Sequence, residues 1–108
     1  MIFTVSPGKT DQWRQFIAEL NGPRRREFEA SRQRAGVHER TFLQHSPQGV
    51  VVIATFEGED PAGALGHMAT SDDEFTRWFL QQVADIHGVD PTQLLPALPE
   101  LVIDSQAS

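Results

Sequence analysis

Residues 50–56, Val50-Val51-Val52-Ile53-Ala54-Thr55-Phe56, decide the fold. β-branched and aromatic side chains at this density favour a strand, because they pack on a pleated surface and lose rotamer freedom in a helix. Alternation puts Val50, Val52, Ala54 and Phe56 on one face and Val51, Ile53 and Thr55 on the other. Both sets are apolar enough to be buried. In a small sheet with helices on one side, the second face needs another cover, and the simplest is the same face of a second subunit.

Working outward, residues 37–46 read as the preceding strand, joined through Ser46-Pro47-Gln48-Gly49 in a link short enough for a hairpin. Residues 1–6 read as a first strand that Pro7-Gly8 ends. Between them, Trp13, Phe16, Ile17 and Leu20 fall at the spacing of one helical face. Asn21-Gly22-Pro23 interrupts that helix, residues 23–35 form a second helical segment, and Gly36 stops it. Downstream, Asp60-Pro61 opens a short helix, since Asp caps and Pro needs no hydrogen bond in the first turn. Ser71-Asp72-Asp73-Glu74 has the spacing of a capping box and opens the last long helix, which carries Phe75, Trp78, Phe79, Val83 and Ile86. Gly88 is its left-handed cap and Asp90-Pro91 prevents continuation. Residues 91–99, with three prolines, read as an irregular connection to a final strand at Leu101, Val102 and Ile103. The resulting expectation is α+β: a ferredoxin-like βαββαβ antiparallel sheet with helices on one face, paired into a dimeric α+β barrel. One domain spans 1–104, and 105–108 is a frayed tail.

The 108 residues leave no room for a second core, and 39% hydrophobic with 22% charged residues is the composition of a folded globular protein. With no cysteine, the chain has no disulfide, thiolate metal site, iron–sulfur cluster or cysteine nucleophile. With no tyrosine, it has no proton-shuttling phenol. The first residues lack the basic and long apolar regions of a signal peptide, and no run approaches the length of a membrane span, so a cytoplasmic location is expected. Charge is polarised. Arg24, Arg25, Arg26, Arg32, Arg34 and Arg40 cluster in residues 21–40 against Glu27, Glu29 and Glu39, while residues 41–108 hold ten acids and one base, Arg77. Arg and Glu at helical pairing distance read first as a solvated face. A net charge of −6 and the lack of interleaved aromatics disfavour nucleic acid.

Three stretches carry a family resemblance: Asn21-Gly22-Pro23-Arg24-Arg25, Glu57-Gly58-Glu59-Asp60-Pro61, and Ser71-Asp72-Asp73 through Trp78-Phe79 to Ile86-His87-Gly88. With the element order, they resemble a family of short bacterial proteins in the dimeric α+β barrel superfamily, which includes antibiotic-biosynthesis and heme-degrading monooxygenases. The motifs are packing and capping motifs. The resemblance implies the fold, a homodimer through the sheet face and a cavity between sheet and helices, and it transfers no mechanism.

Histidine is the side chain most easily tuned to proton transfer near neutral pH. His38 and His45 lie seven positions apart on one strand and so on opposite faces, while His67 and His87 sit on separate helices; no HxH, HxxxH or HExxH pattern occurs, and no metal site is expected. His38, Arg40, Phe42 and Gln44 share one strand face, which would line the cavity if it turned inward and would otherwise be a solvent or dimer-rim face. His87 reads as satisfying the end of its own helix. Trp13 and Trp78 lie on apolar stripes and read as core. In the barrel relatives, such a Trp with a neighbouring His or Arg would hold an enolate or phenolate. The resemblance thereby makes His38, Arg40 and His87 catalytic candidates and Trp13, Trp78 and Phe42 substrate-binding candidates, for a cofactor-independent monooxygenase or cyclase-like enzyme on a small apolar aromatic compound. A non-catalytic binding or interaction domain is the alternative. Heme held through His87 near Trp78 is a lesser one, and the first strand departs from that pattern by offering Thr4 and Ser6 but no Asn. No GxSxG elbow and no phosphate-binding glycine loop is present.

Overall fold

The computed structural model describes residues 1–90 and 100–106. In chain order the elements are β1 (Ile2–Thr4), α1 (Thr10–Asn21), α2 (Arg25–Ala35), β2 (Val37–Ser46), β3 (Gly49–Gly58), α3 (Pro61–Thr70) and α4 (Glu74–His87). The chain is thus a small α+β protein with a three-stranded antiparallel sheet and four helices among the described residues.

The sheet order is β1-β3-β2, so the Val50–Phe56 run lies in the centre. β2 and β3 form a long hairpin, with Ser46 opposite Gly49 and Val37 opposite Gly58. β1 adds a short third strand, Phe3 facing Val52, and the Ala54 N–H donating to the Met1 carbonyl at 2.9 Å extends this ladder. The pleat then separates two faces. Phe3, Val52 and Leu43 align across one; Ile2, Ile53 and Phe42 align across the other. The helices cover the first face, where Val52 and Ala54 are buried with Trp13, Phe16, Leu20, Leu65, Met68, Phe79, Val83 and Ile86.

Local chemistry places the helices. Asp60 caps α3 by accepting from the Gly63 N–H at 3.0 Å, with Pro61 in the first turn. The capping box expected from Ser71 and Glu74 is replaced by a cap two residues later. Asp73 accepts from the Thr76 N–H at 2.9 Å, and the Ser71 hydroxyl donates to Asp73 at 2.6 Å instead of to the backbone. An aspartate nearer the helix competes better because its charge also meets the positive end of the dipole. These bonds, from Ser71 first and then Thr76, lower the Asp73 pKa to about 2. Gly36 and Gly88 close α2 and α4 at φ of 71° and 65°, a left-handed conformation that costs glycine little.

The expected final strand does not form. Leu101, Val102 and Ile103 have no strand pairing and are 77%, 81% and 83% exposed. Strand propensity over three residues is not a ladder; that needs an edge to pair with, and this run takes none up among the described residues. The expected irregular connection at 91–99 lies outside the described residues. Among those described, no helix is long and apolar enough to cross a membrane.

Candidate functional site

The sheet's covered face and the four helices line a partly open cavity of about 250 Å³. Its walls are mostly apolar: Trp13 and Phe16 from α1, Phe28 from α2, Val52 and Ala54 from β3, Leu65 from α3 and Phe79 from α4 are among them. For scale, a cavity of about 150 Å³ holds benzene. The space suits a substituted ring and lies below the roughly 300–1,000 Å³ of sites for drug-sized ligands.

The wall holds two sets of polar side chains, Arg32 with Glu39 and Thr41, and His87, beside Asn21. Arg32 turns inward from α2, only 5% exposed as a whole residue, and is held on every side but one. Its Nε donates to Glu39 Oε1 at 2.6 Å and its Nη1 to the Ser31 hydroxyl at 2.9 Å. Phe28 and Phe79 cover the guanidinium faces, with ring centroids 4.7 and 4.6 Å away. The third nitrogen, Nη2, is buried and has no hydrogen-bond partner. Glu39 is as buried as its partner, at 7% of side-chain exposure, and its other oxygen accepts from the Thr41 hydroxyl at 2.9 Å. Arg32, Glu39 and Thr41 all line the cavity.

The second group is His87, at the end of α4. It does not serve the end of its own helix, as the sequence reading expected. Its Nδ1 lies 2.9 Å from the Thr4 carbonyl of β1, because the Ser6 N–H donates to the Ile86 carbonyl and brings the end of α4 against that strand. Nδ1 must donate to a carbonyl, so the neutral ring keeps its lone pair on Nε2. The ring stacks on Phe3, with centroids 5.1 Å apart. Burial lowers the His87 pKa below 6.5, against the opposing pull of the Thr4 carbonyl. It is therefore a neutral imidazole at neutral pH.

The sequence candidates are divided by this geometry. Trp13 and His87 line the cavity. Trp78 instead borders a more open depression with Gln12, Gln15 and Arg24, and the Arg24 guanidinium sits 4.3 Å from its ring centroid. His38, Arg40 and Phe42 lie on the other face of the sheet, opposite Glu57, Thr55 and Ile53, and do not meet the cavity. Phe42 is 52% exposed there. The same alternation that turns them out turns Glu39 and Thr41 in.

Compared with known proteins, the chain matches no family model, no curated protein and no solved structure. The site is therefore read from its own residues.

Arg32 was missed because a run of arginines and glutamates reads as a solvated helix, and Glu39 because only the strand face with His38 and Arg40 was considered as a cavity wall. A signal was present. Phe28, Ser31, Arg32 and Ala35 follow the helical i, i+3, i+4, i+7 spacing, so any face of α2 that buries Phe28 also takes in Arg32. Among the described residues, no group of three or more His, Asp or Glu converges to hold a metal ion. The cavity does not fit heme: its volume is below that of drug-sized sites, and the Phe3 ring packs against His87.

Proposed function

We propose that this chain binds a small apolar aromatic compound in its cavity and acts on it without a cofactor, as a cofactor-independent monooxygenase or cyclase-like enzyme. One observation carries the reading: a mostly apolar cavity of about 250 Å³ has a buried, neutral His87 on its wall, its tautomer fixed by Thr4. An apolar space gathers an aromatic ring by the hydrophobic effect, and a lone pair on Nε2 can take a proton from a phenolic hydroxyl or a carbon beside an oxo group. In the oxygenase case the resulting carbanion supplies electrons to O₂. The two join as a hydroperoxide that takes back the proton held on His87, and loss of water with that carbon's second hydrogen leaves a carbonyl.

The same reading includes the ferredoxin-like fold and the homodimer. A central β3 between β1 and β2 supports the first. The row Ile2, Ile53 and Phe42 on the uncovered face supports the second, since Ile2 is 68% and Phe42 52% exposed and a second copy of this face would bury them.

The test is oxygen uptake with a panel of hydroxylated or oxo-substituted one- and two-ring aromatics, beside binding by intrinsic tryptophan fluorescence. Binding should be lost in Ala54→Phe, which fills the cavity, and turnover should be lost with binding kept in His87→Ala. Binding without turnover in every case would leave a non-catalytic binding domain; no binding at all would remove the reading.

A further inference from the structure

The run Leu101-Val102-Ile103 and the outer edge of β2 each lack the partner that their chemistry calls for. The run is apolar, two of its three residues are β-branched, and it stands 77%, 81% and 83% exposed with no strand pairing. β2 is an edge strand of ten residues, and its register with β3 runs from Val37 to Ser46 without a bulge or a proline. Natural edges of this length are usually blunted by such breaks, because their unpaired N–H and C=O groups are a template for another strand.

The ladder fixes which backbone groups point outward. The Val5 N–H donates to the Val50 carbonyl and the Ala54 N–H to the Met1 carbonyl, so the even-numbered residues of β3 bond toward β1. Its odd-numbered residues therefore bond toward β2, where Ile53 faces Phe42 and Val51 faces Gln44. By the same alternation, the N–H and C=O groups of Thr41 and Leu43 point away from β3 at the sheet's edge. Among the described residues, no backbone hydrogen bond reaches them there. Between them Phe42, half-exposed, ends the apolar row of Ile2, Ile53 and Phe42 on the uncovered face.

We infer that Leu101–Ile103 of a second copy adds to this edge as an antiparallel strand, and that two copies exchange the run reciprocally. This rests on the homodimer reading above and names the segment that ties its copies together. Centred on Phe42, the register sets Leu101 opposite Leu43, Val102 opposite Phe42 and Ile103 opposite Thr41. Leu101 and Ile103 then exchange backbone hydrogen bonds with Leu43 and Thr41, and Val102 continues the apolar row by one residue. Ile103 comes to stand beside Thr41, which is exposed and also lines the cavity, so each copy supplies a side chain to the rim of the other's cavity. A second copy is the occupant because within one chain the run and the edge stay unpaired, while a two-fold exchange satisfies both runs and both edges at once.

The experiment follows amide hydrogen exchange in the full chain over a concentration series, beside light scattering. Where the chain is dimeric, the Thr41 and Leu43 amides should exchange at least about ten-fold more slowly than in the dilute chain. Leu101→Pro removes the N–H that donates to Leu43, at a position exposed in the single chain, and should abolish that protection. A disulfide reports the register, since the chain has no cysteine of its own. Chains carrying Thr41→Cys and chains carrying Ile103→Cys, mixed under oxidation, should cross-link at least about ten-fold faster than His45→Cys with Ile103→Cys, because only the first pair reaches disulfide distance. A dimer whose Thr41 and Leu43 amides exchange as fast as in the dilute chain, or whose two cysteine pairs cross-link equally, would overturn the exchanged strand and leave the face-to-face dimer. A chain that scatters as a monomer at micromolar concentration would overturn both.

Discussion

Each face of the sheet carries an exception to the usual assignment of side chains. Toward the helices, a face that should be wholly apolar carries Glu39 and Thr41, with Glu39 clamped to Arg32 among aromatic rings. Away from the helices, a face that should be polar carries exposed Ile2 and Phe42 beside Ile53. Burying a charge costs stability unless it is paired and bonded, and exposing a large apolar row invites association. Neither departure helps an isolated domain fold. The proposed function gives each departure a partner: a ligand on the inner face and a second copy of the chain on the outer one.

The largest expected effect comes from breaking the inner pair. Arg32→Met leaves Glu39 buried without its counter-ion and should destabilise the fold by about 3–5 kcal/mol in urea unfolding. Adding Glu39→Gln should recover most of that loss, because the isolated charge is then gone. A single variant as stable as the parent would mean that the pair is solvated and that the comparison of faces is wrong. The cap of α4 is the next in size. Asp73→Ala should cost about 1 kcal/mol by the same measurement. Because the folded Asp73 pKa, about 2, lies below the ordinary 3.8, this contribution is present above pH 4 and is lost as pH falls toward 2. Asp73 is exposed, so salt should weaken its dipole component.

How much of this was legible in the sequence follows the same division. The hairpin, the helix starts at Asp60-Pro61 and the glycine stops at Gly36 and Gly88 were readable, because each is set by side chains acting on their own backbone. The cap at Asp73 was displaced by two positions, since Ser71, Asp72 and Asp73 can each cap and only the completed fold selects one. Leu101–Ile103 was misread because pairing with an edge is a tertiary event. Trp13 and His87, singled out by residue type, line the cavity, but His87 was given the wrong partner, since nothing local signals a bond to Thr4, eighty-three positions earlier. Arg32 was lost in a charge run whose individual members face different ways. Arg24 and Arg25 pair at the surface with Glu27 and Glu29, while Arg32 goes inside.

Smaller effects sharpen the contrast. With its folded pKa below 6.5, His87 binds fewer protons folded than unfolded, so stability should be full above pH 6.5 and decline as pH falls through the folded pKa. His87→Gln should flatten that slope in a pH series of thermal unfolding, and an unchanged slope would assign it to other groups. On the outer face, Phe42→Asp should change the stability of the monomer by no more than about 0.5 kcal/mol, as surface substitutions do. Light scattering at micromolar concentration should nevertheless show the parent chain as a dimer and this variant as a monomer. A monomeric parent would remove the second copy from the account.

The most direct test of the inner face as a ligand site is to locate a bound ligand by solution NMR. With acetophenone added to methyl-labelled protein, intermolecular contacts should run from the ring to the methyl groups of Val52, Leu65 and Met68, which line the cavity. Contacts to Ile2 and Ile53 on the opposite face, or no contacts at a saturating concentration, would contradict it.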